Sequence, residues 1–268
     1  MNERVKDWQA YYDQCAAMPD EMFQSSRFDI APFQYRAVIE DIRRKLPLAP
    51  EDVLLDVGCC NGQIDRELAG SVKKLVGVDL SEASLKLARQ NNSHHPNAEF
   101  HWADAGELPY PDNSFDKILM YGVSMHGDLA WLTRVIREFI RVTRNGGKIL
   151  IGDNISAVKW EAFLQSRGLG DTIRAYTALN PENESFILPK VLFYHARKIV
   201  EMKLRRRLIP EIRQTLAPVD EPYENSTFEE DQLLALVRDL GQQGTTRIQN
   251  FRLPYARFRF DLLITVSK

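Results

Sequence analysis

The heptapeptide Asp56-Val-Gly58-Cys-Cys60-Asn-Gly62 closes a short apolar run and opens a helical stretch. A glycine turn at that junction lets backbone N–H groups approach a ligand closely. A dinucleotide fingerprint would place glycines at 58, 60 and 63, where the chain has Gly58, Cys60 and Gln63. The alternative pattern, acidic-x-Gly-x-Gly-x-Gly, fits Asp56, Gly58 and Gly62 and departs only at Cys60. The bland reading is a plain strand-to-helix turn. Cys59 and Cys60 raise the question of redox chemistry, but adjacent cysteines seldom bridge and no base stands near them in sequence. A second signal is charge. Lys190 to Arg213 holds eight Lys/Arg against two Glu, and Ala217 to Asp231 holds six acids and no base. The two arms either neutralise each other in solvent or form a recess for an anionic acceptor, such as a phosphate- or nucleotide-linked sugar, with Arg197, Arg205 and Arg206 as its contacts.

The elements that must position these residues can be read from periodicity. Val53–Val57, Lys74–Asp79, a weaker run around Phe100 and Trp102, Lys117–Tyr121 and Lys148–Gly152 are short and rich in Val, Ile or Leu. Gly, Asp or Pro bounds each, as suits strands buried on both faces. Helical stretches separate most of them. Ser81 is a candidate N-cap for a helix through Gln90, and Trp131, Val135, Ile136, Phe139 and Ile140 form an apolar stripe that Asn145-Gly146-Gly147 ends. This alternation predicts right-handed βαβ units and an α/β, doubly wound, mostly parallel sheet. Residues 1–50 read as a helical front piece, with a helix from Phe33 to Leu46. Residues 51–153 and 226–268 read as the α/β domain, and 154–225 as an inserted helical cap. Thr227-Phe-Glu-Glu230 reads as a capping box for a helix to about Gln243. Thr245–Leu253 and Arg257–Val266 read as an edge hairpin.

With this organisation in place, Val53–Asn154 resembles the class I S-adenosylmethionine-dependent methyltransferases, Rossmann-like in fold. The resemblance rests on Leu54-Leu-Asp-Val-Gly-Cys-Cys-Asn-Gly62, Val76-Gly-Val-Asp79 followed by Leu80-Ser81, Ala103-Asp104-Ala105, Leu108-Pro-Tyr-Pro-Asp112 with Ser114-Phe-Asp116, and Arg141-Val-Thr-Arg-Asn-Gly-Gly147. It implies a seven-stranded sheet with the C-terminal hairpin as antiparallel edge, and S-adenosyl-L-methionine as cofactor. It implies cofactor contacts from Asp56, Gly58, Cys60, Gly62, Asp79, Leu80, Asp104 and Ala105. Asp79 would accept from both ribose hydroxyls and Asp104 from the adenine amino group, while the Ala105 N–H meets a ring nitrogen. Cys60 stands where the family has glycine, and a Cβ there crowds the loop or demands an ordinary φ.

Methyl transfer from a sulfonium is an in-line displacement that needs proximity, a dry pocket and removal of a proton from an O or N nucleophile. His126, just after the fourth strand, is the candidate base. Asp153-Asn154 resembles part of the metal site of cation-dependent O-methyltransferases. That site also needs an acid directly after the fourth strand, where this chain has Tyr121-Gly122-Val123, so no metal is expected. The function expected is methyl transfer to a small acceptor, anionic or sugar-linked. The alternative is a methyltransferase-fold binding protein without catalysis, which Cys60 favours.

The composition agrees with one large α/β domain: 268 residues, 44% hydrophobic and 27% charged. Thirty-five Lys+Arg against 37 Asp+Glu give a net charge of −2, which speaks against a nucleic-acid coat. Three cysteines make no disulfide framework, and no window suits a signal or a membrane span, so a cytoplasmic setting is expected. The oligomeric state is open, a homodimer included.

Overall fold

The structure is a computed structural model. It describes residues 3–27, 30–165, 224–249 and 258–268, together with 193, 196–201 and 203. The expected contacts Arg205 and Arg206 lie outside the described residues.

Seven strands form one sheet: β1 (Val53–Val57), β2 (Lys74–Asp79), β3 (Ala98–Trp102), β4 (Phe115–Tyr121), β5 (Thr143–Ile155), β6 (Gln243–Ile248) and β7 (Arg259–Thr265). Their order is β3-β2-β1-β4-β5-β7-β6. β1 to β5 are parallel, and β7 runs antiparallel to both β5 and β6. This is the expected doubly wound sheet with its antiparallel C-terminal edge. The strand pleat divides the core in two. Leu54 packs on one face with Ile42, Leu75 and Leu85. Leu55 packs on the other with Ile118, Val135 and Phe139. Each such fully buried side chain contributes roughly 1.5–3 kcal/mol.

The helices cover both faces. α1 (Glu3–Ala16), α2 (Glu21–Gln24) and α3 (Pro32–Lys45) precede the sheet. Pro32 at the first position pre-sets φ for α3, which buries Phe33, Ala37, Val38, Ile39 and Ile42. α4 (Gln63–Leu68), α5 (Glu82–Asn91) and α6 (Leu129–Val142) cross between strands. The Ser81 hydroxyl caps α5 by accepting from the Ser84 N–H at 3.0 Å, as the sequence suggested. Asp128 caps α6 through the Trp131 N–H at 2.8 Å.

Two local readings are corrected. α8 (Glu230–Asp239) begins three residues past Thr227, with Glu229 as its N-cap residue and no side-chain cap bond. Phe228 is buried and joins a parallel bridge to Ser156, so tertiary packing holds the Thr227–Glu229 segment extended. β5 also starts earlier than expected. Thr143 is already in the strand, and Asn145-Gly146-Gly147 lie inside it, with Gly146 at φ +78°. α7 (Ala157–Gln165) follows β5 at once.

Candidate functional site

The parallel strands end on one side of the sheet, and a cavity of about 400 Å³ opens there. Ligands in open α/β sheets bind at the carboxyl ends of the strands, where the strand order reverses, here between β1 and β4. Gly58, Cys60, Asp79, Leu80, Asp104 and Ala105 all line the cavity, as does His126. Asp56 and Gly62 do not. Asp56 is buried beneath the loop, and Gly62 begins α4 at φ +72°.

The loop geometry follows from its residues. Gly58 has φ +77°, and a Cβ there would come within 2.4 Å of Val123 Cγ2. Only glycine fits both constraints. Cys60 keeps the left-handed conformation, φ +51°, at a cost of roughly 1–2 kcal/mol for a residue with a Cβ. Of the two outcomes open for a Cβ at this position, a crowded loop or an ordinary φ, the ordinary φ is not the one adopted. Its Sγ turns away toward the Gln24 carbonyl at 3.4 Å. Burial pushes the thiol up to about 12, so it stays protonated at neutral pH. The Cys60 N–H donates to Asp79 Oδ2 and the Ser81 N–H to Asp79 Oδ1, each at 2.9 Å. These bonds fix the carboxylate at the cavity edge, and each oxygen keeps lone pairs for a further donor. Burial raises Asp79 above the usual carboxylate range, while the backbone donors oppose that rise. Asp104 Oδ1 accepts from the Gly106 N–H at 2.8 Å, which holds the β3 exit as a turn beside Ala105.

Behind the loop, Asp56 and Asp65 form a buried carboxyl pair. Burial pushes Asp56 up to about 7, and burial together with the Asp56 charge pushes Asp65 up as well. An acid whose folded-state pKa lies above its unfolded value stabilises the fold at low pH and loses that contribution as pH rises through the folded value. Stability should therefore fall as pH rises from about 4 through about 7 on account of Asp56, and the raised Asp65 adds a loss of the same sign. Asp65→Asn should shrink the loss between pH 5 and pH 8 by about 1–3 kcal/mol. Urea titrations at the two pH values measure it, and an unchanged difference would show that the pair carries no strain.

Aromatic side chains form much of the rest of the cavity lining, and sequence reasoning missed them. Trp8 and Tyr12 come from α1, Trp131 from α6, Trp160 from α7, and Phe258 precedes β7. Trp160 and Phe258 meet edge to face with centroids 4.8 Å apart. The Tyr12 hydroxyl and His126 Nε2 are hydrogen-bonded at 3.0 Å, and the imidazole lies 3.9 Å, centroid to centroid, from Trp8. A stripe Trp8, Tyr11, Tyr12, Cys15 at helical spacing was the available signal. It marks a buried face without saying what that face covers. Arg27 also lines the cavity, and its charge acts on Asp56, Asp153 and Tyr121. Arg197 stacks 4.5 Å over the Phe33 ring and pairs with Glu201 at 2.8 Å, and it is not among the lining residues. Among the described residues no three His, Cys, Asp or Glu side chains gather as a metal site.

Comparison with known proteins gives a consistent picture. A family model described as "Methyltransferase domain" matches residues 55–151. Over 113 residues the chain is 37% identical to the 27-O-demethylrifamycin SV methyltransferase of Amycolatopsis mediterranei, covering 40% of each chain. It is 28% identical over 166 residues to the demethylmenaquinone methyltransferase of Symbiobacterium thermophilum, covering 53% of this chain and 65% of that one. The match therefore spans between two fifths and two thirds of these relatives' own length. In fold the chain is similar to a phosphoethanolamine N-methyltransferase of Haemonchus contortus, solved with phosphoethanolamine and S-adenosylhomocysteine. The TM-score is 0.63 at 13% identity, over 99% of this chain and 49% of that one.

Proposed function

We propose, from the premise that this chain belongs to the class I S-adenosylmethionine-dependent methyltransferases, that it methylates an O or N atom of a small acceptor with a flat, apolar body. S-adenosyl-L-methionine, the cofactor of this family, supplies a methyl group on a sulfonium. The observation that carries the reading is the mixed lining of the cavity: polar strand-end residues led by Asp79 share it with the aromatic side chains Trp8, Tyr12, Trp131, Trp160 and Phe258. On this reading Asp79 accepts from the ribose hydroxyls, and Asp104 with Ala105 meets the adenine. Gly58 lets the backbone come close to the methionine portion. Arg27 has no ion-pair partner among the described residues, and it is suited to that portion's carboxylate. Trp131, Trp160 and Phe258 offer ring faces and edges that exclude water around the reacting atoms.

The ring-lined wall favours an aromatic or quinone-like acceptor over the anionic, sugar-linked one suggested by the basic arm. The O-methylating and quinone-methylating relatives agree with that choice. The alternative of a non-catalytic binding protein loses support with Cys60, which preserves the loop shape that a glycine would give. No helix among the described residues is long and apolar enough to cross a membrane, and a small-molecule acceptor is the partner proposed.

Two measurements test this. Calorimetric titration with S-adenosylhomocysteine should give a single saturable site, and no heat at millimolar ligand would sink the cofactor assignment. Methyl-labelled cofactor offered with a panel of phenols, hydroquinones and aromatic amines should label at least one of them. Tight cofactor binding with no labelled product would return the binding-protein reading.

A further inference from the structure

We propose that Asp153 is the proton acceptor for the atom that becomes methylated. The proposal rests on the methyl-transfer reading above and passes to Asp153 the base role that the sequence suggested for His126. His126 has Nε2 committed to the Tyr12 hydroxyl and its ring laid against Trp8. Asp153 is placed differently.

The backbone presents this residue to the cavity. Pairing between β5 and β7 shifts register between Ile151 and Asn154, and Asp153 sits in that irregularity at φ +66°. A bulge re-aims the side chain of its extra residue, and a left-handed conformation at a residue with a Cβ persists only where the surroundings enforce it. Here they do. The Asp153 N–H donates to Asp261 Oδ1 at 2.8 Å, and the Asp153 carbonyl accepts from Arg259 Nη1 at 2.8 Å. Oδ1 accepts from Gln249 Nε2 at 3.3 Å and lies 3.8 Å from Arg259 Nε. Among the described residues no donor meets Oδ2. That oxygen stands over Gly122, 3.6 Å from where a Cβ would be, and both residues line the cavity.

The sheet sets the rest of the geometry. β1, β4 and β5 are neighbours, and Tyr121 is opposite Gly152. Gly58, Val123, Gly122 and Asp153 therefore form a row across the strand ends, from the glycine loop to the aromatic wall. The reacting methyl belongs at the β1–β4 crevice. Asp153 Oδ2 is the next anionic atom along that row, on the acceptor's side. Burial also lifts this carboxyl above its usual range, which brings it closer to the basicity a general base needs.

In the step itself, a lone pair of the acceptor oxygen or nitrogen forms the bond to the methyl carbon. The carbon–sulfur bond breaks with its electron pair left on sulfur. The proton of the acceptor atom passes to Asp153 Oδ2, which later returns it to solvent.

The test uses two cofactor analogues and no acceptor. Sinefungin carries a protonated amine where the cofactor carries its methyl, so its N–H groups probe the anion that faces that point. S-adenosylhomocysteine carries nothing there. Asp153→Asn should weaken sinefungin on the order of 10- to 100-fold while S-adenosylhomocysteine stays within about threefold. Asparagine tolerates the left-handed backbone. Asp153→Gly, which favours it, serves if the first variant fails to fold. An unchanged ratio of the two affinities in both variants would overturn the proposal. So would a fall in that ratio in His126→Asn and not in Asp153→Asn, which would return the base role to His126. If neither analogue binds the unaltered protein, the cofactor reading fails first and the proposal falls with it.

Discussion

Replacing Asp79 with alanine should weaken S-adenosylhomocysteine binding by about 30- to 150-fold, the loss expected for two charge-assisted hydrogen bonds worth roughly 2–3 kcal/mol. The carboxylate is held by two backbone donors, Cys60 N–H and Ser81 N–H, and its remaining lone pairs face the cavity. A ribose diol offers two O–H groups at the spacing of the two carboxylate oxygens, so both bonds disappear together. The same substitution leaves the Cys60 and Ser81 N–H groups without their acceptor, and some fold stability goes with it. Calorimetry should therefore be paired with a thermal melt, to separate a loosened loop from a lost contact. Asp104→Ala is the internal comparison. Asp104 is proposed to take one bond from the adenine amino group where Asp79 takes two from the ribose, so its loss should cost less affinity. Equal affinity for Asp79→Ala and the unaltered protein would remove Asp79 from the site.

The polar part of the site was legible in the sequence because it lies on one continuous βαβ unit. Gly58, Asp79 and Asp104 sit at the ends of successive strands, and strand ends are marked by local chemistry: an apolar run, then Gly, Asp or Ser. β2 emerges at Lys74–Asp79 as read, and Ser81 caps α5 as read. The aromatic part was not legible, because its residues come from four separate segments of the chain. Nothing local distinguishes Trp8 on α1 or Trp160 on α7 from ordinary core aromatics. Asp153 was visible as an acid at a strand end, but the bulge that turns it inward depends on pairing with β7, more than 100 residues later. The Thr227 capping box failed for a related reason. Its pattern is local, and the packing of Phe228 against Ser156 overrides it. The Asp41–Lys45 ion pair lies within α3. Its ammonium also meets Asp261 on β7, a contact that no local spacing signals.

Lys45→Met should destabilise the protein by about 3–5 kcal/mol, the range for removing one partner of a buried ion pair. The Lys45 side chain is 7% exposed and stands between Asp41, 3% exposed, and Asp261, fully buried. Methionine fills a similar volume, so the loss is electrostatic rather than a cavity. Asp41 keeps the exposed Arg44 as a partner. Asp261 keeps the Asp153 N–H and Gln249 Nε2 as donors but loses its cation. The larger part of the penalty should therefore arise at Asp261. Adding Asp261→Asn to Lys45→Met should recover part of the loss, because a neutral amide needs no cation. Denaturant titration of the two single variants and the double variant gives the coupling directly. A single-variant loss below about 1 kcal/mol would mean that water or a local shift already neutralises the triad. The same network ties the core to the cavity, since Asp261 fixes the backbone of Asp153. Lys45→Met should accordingly lower sinefungin affinity more than S-adenosylhomocysteine affinity, although Lys45 is not among the residues that line the cavity.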